Sequence, residues 1–117
     1  MLLFLPWVIL SCTWENEEVL YPGNGSECDT TDMSYFNDIV PILTTHCFMC
    51  HSAENAPAFG SNINLEDYSE VKDLAEIITG AINHDPPYSP MPKNAAKIDS
   101  CLILKFEAWV NQGALEN

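Results

Sequence analysis

The segment Cys47-Phe48-Met49-Cys50-His51 sets two thiols three positions apart and follows them with an imidazole. Thiols at that spacing can each form a thioether with one vinyl group of a haem, while the next residue's imidazole binds the iron. With five Cys and three His in 117 residues, chance places such a segment about once in two hundred chains of this composition. Two other chemistries use the same residue types. Structural zinc wants four ligands in two paired clusters, and no second pair stands in the sequence. A thioredoxin-like dithiol needs a strand running into a helix, and no alternating strand pattern of useful length occurs. The expected cofactor is one covalent haem c, attached at Cys47 and Cys50 with His51 as the proximal iron ligand.

An iron held on one side by His51 leaves its other side to a second protein ligand or to an open position. Met91 is the leading candidate, because it lies 40 residues after His51 between Pro90 and Pro92, which stiffen the backbone around it. A Met that only packs on the macrocycle edge is the alternative. His84, seven residues upstream in the same loop, is the rival ligand. His46 adjoins the motif and is expected to point away from His51's side of the ring. Met33 and Met49 have no loop to present them, and Met49 is expected to face protein.

Met/His ligation leaves no open site for a substrate, so the expected function is electron transfer, with no enzymatic activity. An open or labile distal side would instead make a haem-based sensor or ligand-binding module. No Ser, His and Asp arrangement and no paired-carboxylate site is identifiable.

The elements that must position these groups read as all-α. Ser34 can cap a helix carrying Phe36, Ile39, Val40 and Leu43 at helical spacing, and Pro41 within it requires a kink or a fresh helical start. A second helix is expected over residues 67–82, with Leu74, Ile77, Ile78, Ala81 and Ile82 as its apolar stripe and Gly80 weakening its end. Residues 83–97 carry Pro86, Pro87, Pro90 and Pro92 and must form a stiff loop. Asp99 then caps a last helix whose apolar face is Leu102, Ile103, Phe106, Trp109 and Val110, with Gly113 at its end.

Taken in order, Ile39-Val40-Pro41-Ile42-Leu43, the Cys47 to His51 motif, Ser89-Pro90-Met91-Pro92 and Ala108-Trp109-Val110-Asn111-Gln112-Gly113-Ala114 resemble the small mono-haem cytochrome c domains of bacterial envelope proteins. The resemblance covers residues 34–117. It implies a class I cytochrome c-like fold, with the first and last helices crossing and the haem in a crevice between the attachment segment and a distal loop. Family members place their Met ligand in a loop comparable to that of Met91.

The rest of the chain reads as export and tethering. Residues 1–10, MLLFLPWVIL, are too few to span a bilayer, which takes roughly 20, and have the length of a signal-peptide apolar region. Ile9-Leu10-Ser11-Cys12 resembles a lipoprotein cleavage site, implying a signal peptide over 1–11 and a lipid anchor on Cys12; no Lys or Arg precedes the apolar run, and a buried strand is the alternative. Residues 12–33 are expected to be an acidic tether and 34–117 the folded domain, on a periplasmic or cell-surface lipoprotein. Cys28 and Cys101 are left over, either as two thiols or as a disulfide between the beginnings of the first and last helical regions, the bond an oxidising compartment favours.

The charge balance of 17 Asp and Glu against 4 Lys, with a net charge of -13, excludes nucleic acid and points to a redox partner with a basic docking face. Plain solubility accounts for the same charge.

Overall fold

The computed structural model describes residues 28–117. The expected signal peptide at 1–11, the expected anchor on Cys12 and most of the expected tether at 12–33 lie outside these described residues.

Among the described residues the chain is all-helical, with no strand. Ser34 caps the first turn as expected, its Oγ accepting from Asn37 N–H at 3.1 Å. That turn, α1 (Tyr35–Ile39), is wound as a wide π-helix, and α2 (Val40–His46) follows with Pro41 in its first turn. Pro41 lacks an N–H, so starting a fresh helix there leaves no donor unmade. The wide turn sends Tyr35 inward beside Ile39 and leaves Phe36 57% exposed, so Phe36 does not join the core as its spacing suggests. Tyr35 takes the inward place because three rings receive it: its centroid lies 5.0 Å from Tyr68 and 5.4 Å from Trp109, and Phe36 flanks it.

The Cys47 to His51 segment forms the single turn α3 (Phe48–His51), with Cys47 at its N-cap, and a short α4 (Ala56–Phe59) follows it. The expected continuous helix over 67–82 is two pieces. Asp67 caps α5 (Tyr68–Asp73) by accepting from Ser69 N–H, the chain breaks at Leu74, and α6 (Ala75–Ile82) resumes. Ala81 and Ile82 are buried and Ile78 packs against the core, but Leu74 at the break is only partly buried and Ile77 is half exposed. Gly80 is a contact point more than a weakness. It is buried, and any side chain there would enter the ring of Tyr88 from the proline-rich loop.

Asp99 caps α7 (Ser100–Asn111), its carboxylate accepting from Cys101 N–H at 2.8 Å. Ile103, Phe106 and Trp109 are buried on its inner face, and Gly113 ends it at φ +107°, a conformation that favours glycine. The first and last helices pack together through Tyr35 and Trp109. Side-chain amides fasten the two ends of this arrangement: Gln112 accepts from Met33 N–H and donates to Thr30 O, and the Asn117 side chain accepts from Tyr35 N–H. Cys28 and Cys101 are joined in a disulfide across 73 positions, so residues 28–33 are tied to the start and end of α7.

Candidate functional site

α3 is short because it is wedged between neighbours. Cys47 ends α2 by donating its N–H to Leu43 O, and its own carbonyl accepts from the N–H groups of Cys50 and His51 at 3.1 and 2.8 Å. One helical turn therefore carries both thiols and the imidazole, and both cysteines are free. The Asn55 side-chain amide donates to Met49 O at 2.9 Å and clips the turn from outside. Met49 itself is 85% exposed, not turned to protein, because the turn's inward positions go to its neighbours.

The imidazole of His51 is fixed by its second nitrogen. Nδ1 stands 3.0 Å from the carbonyl oxygen of Ile63. A carbonyl oxygen can only accept, so Nδ1 carries the proton and donates, and Nε2 keeps its lone pair for a metal. The segment that supplies this carbonyl is held to the motif by Leu65 N–H donating to His51 O at 2.8 Å. Gly60 makes the approach possible. A β-carbon there would lie 2.8 Å from His51 Nδ1 and would also meet Cys50 O. Neither Ile63 nor Gly60 has a signal in the sequence, since a carbonyl acceptor leaves none and the close approach is tertiary.

Cys47 and Met91 line one apolar cleft, whose walls are Ile42, Leu43, Ile78, Ile82, Ile98 and Phe106, with His46 and Pro92 at its side. Cys50 and His51 are half-buried on α3 and are not among the lining residues. Burial, and then the neighbouring Cys50, push the Cys47 thiol up to about 11, so at neutral pH it is protonated. Met91 is held by its backbone from two sides. Its N–H donates to Ala81 O at 3.0 Å, and its carbonyl accepts from His84 Nε2 at 3.1 Å. Sequence reasoning set His84 against Met91 as a rival; in the fold His84 holds the segment that presents Met91. His46 lines the same cleft as Met91, which His51 does not.

No family model, curated protein or solved structure matches this chain.

Among the described residues no three His, Cys, Asp or Glu side chains converge into a metal cage. The donor set that is present is two thiols, an imidazole with one free nitrogen, and a thioether, which are the donor types a covalently attached haem would use. Volume adds a condition. The free space within the cleft is about 10 Å³, whereas small-molecule sites hold about 300–1,000 Å³. A macrocycle would need more room there than these side chains leave.

Proposed function

We propose that this chain is an electron carrier bearing one c-type haem, attached at Cys47 and Cys50, with His51 and Met91 as iron ligands, on a class I cytochrome c-like fold. One observation carries the reading. The Cys47-x-x-Cys50-His51 turn ties His51 Nδ1 to the Ile63 carbonyl and leaves Nε2 free, as iron ligation requires. When bound, the haem supplies one-electron chemistry between ferric and ferrous iron.

The chain's own residues do the rest. Ile63 orients the imidazole and fixes which of its nitrogens carries the proton. His84 and Ala81 hold the Met91 backbone, which fixes the point from which its side chain reaches the cleft. The walls of Leu43, Ile78, Ile82 and Phe106 exclude water, which limits solvent rearrangement when charge changes and disfavours the more positive oxidised form. A thioether on the iron acts in the same direction.

Ligation on both sides separates this reading from a haem-based sensor. Spectroscopy of Met91→Ala, His84→Gln and His46→Gln tests it. Met91→Ala should lose the weak ferric iron–sulfur band, lower the potential and bind carbon monoxide. The two His variants should keep the band. Loss of the low-spin spectrum in a His variant, with Met91→Ala unchanged, would reverse the ligand assignment. Carbon monoxide binding to the unaltered protein would favour the open-site sensor.

Placement in the envelope through a lipid on Cys12 belongs to the same proposal. Mass spectrometry of the mature protein should find the chain beginning at an acylated Cys12, and an intact Met1 would refute it. No helix among the described residues is long and apolar enough to cross a membrane.

A further inference from the structure

A second concavity, of about 480 Å³, opens on another face between α1, α3 and the start of α5. Its walls are the rings of Tyr35, Phe36, Phe48 and Tyr68, and its rim carries Glu66, Asp67 and Glu116. Phe36 is more than half exposed there, a large ring left in solvent beside three exposed carboxylates. Aromatic faces carry negative charge density, so rings and carboxylates together make a place for a cation that is also flat or apolar.

Two further observations agree. Burial, Glu116 and Asp67 together raise the Tyr35 phenol above its ordinary range, so the field of the rim reaches the groove floor. The chain's own Lys72 already places its ammonium over the Tyr68 ring, 6.0 Å from the centroid. With 17 acidic residues against 4 Lys, the rest of the chain has little cationic charge to compete.

We propose that this groove is the docking point for an arginine side chain on a basic partner protein. A guanidinium is planar, stacks on rings and pairs with carboxylates in a fork, and the groove offers both contacts; a lysine ammonium uses only its point charge. Phe48 directly follows Cys47, so a partner seated here lies beside the attachment turn. The binding itself does not rest on the electron-carrier reading, because no residue of the cleft takes part in it.

The test is a titration of the full-length protein, in its reduced form, with an end-blocked Gly-Arg-Gly tripeptide, followed by NMR of the aromatic side chains. The counterparts carry lysine or neutral citrulline at the central position, and tetramethylammonium is a fourth probe. The arginine peptide should shift Tyr35, Phe36, Phe48 and Tyr68 saturably, more tightly than the lysine peptide, and citrulline should leave them unmoved. Phe36→Ala and Glu116→Gln should each weaken it about two- to fivefold, the scale of one exposed cation–π or ion-pair contact. Both positions are exposed, and circular dichroism reports whether either variant loses the fold. Equal affinity for arginine and lysine, or shifts spread over the whole acidic surface, would overturn the arginine assignment. Tighter binding of tetramethylammonium would make this a small-cation site and overturn docking.

Discussion

At the scale of single residues, what the sequence announces and what it hides divide along covalent chemistry. Cys47, Cys50 and His51 are legible as a candidate site because the haem attachment proposed for them would constrain their types and spacing directly. Ile63 and Gly60 are not, because one contributes a backbone carbonyl and the other the lack of a side chain. The Cys47 thiol carries a prediction of its own. Held near 11 against an ordinary 9.0, it is favoured in its neutral form by the folded chain below pH 9, and that preference is lost as pH rises through 11. In the haem-free chain at pH 8 its thiolate fraction should be about a hundredfold below that of the urea-unfolded chain. Iodoacetamide labelling followed by peptide mapping measures this directly. Equal labelling rates in the two states would show that the burial is absent in solution.

At the scale of elements, capping was readable and winding was not. Ser34, Asp67, Asp99 and Gly113 each stand at a terminus where their side chain, or lack of one, satisfies helix-end chemistry. Pro41 marks the restart of the helix after α1 but not the wide winding before it, and the break at Leu74 involves no Gly or Pro, so local propensity gives no sign of that break. Packing decides both: Tyr35 is drawn inward by its ring partners, and Phe36 and Ile77 are left outside. Gly80→Ala provides the element-scale test, since the added methyl must displace Tyr88 and with it the loop that presents Met91. It should destabilise by about 1–3 kcal/mol, as overpacking does. In a Tyr88→Ala background most of that cost should vanish, and a thermal-melt double-mutant cycle separates the two contributions. Additive losses would show that Gly80 matters for some reason other than Tyr88. Asp99→Ala should cost about 1 kcal/mol through the lost cap of α7, without altering the spectrum of the holoprotein.

Over the whole molecule, three fastenings hold a small core: the ring cluster of α1 and α7, the amides of Gln112 and Asn117, and the Cys28 to Cys101 disulfide. The all-α class was readable from apolar spacing, and the two leftover cysteines were readable as a possible pair once export was inferred. Their closure spans most of the folded chain, and in the chain-entropy model it contributes about 4 kcal/mol. A Cys28→Ala, Cys101→Ala double variant should therefore melt lower by an amount of that order while keeping its site chemistry, and an unchanged melting temperature would assign the stability to the core alone. The proposed covalent haem is read most plainly by peptide-mapping mass spectrometry of the full-length protein matured in a bacterial envelope that carries haem-attachment machinery. The account predicts one haem, carried on the peptide that contains Cys47, Cys50 and His51, and lost altogether in the Cys47→Ala, Cys50→Ala double variant. Unmodified thiols at both positions in a folded, exported protein, or covalent haem that survives the double substitution, would contradict it.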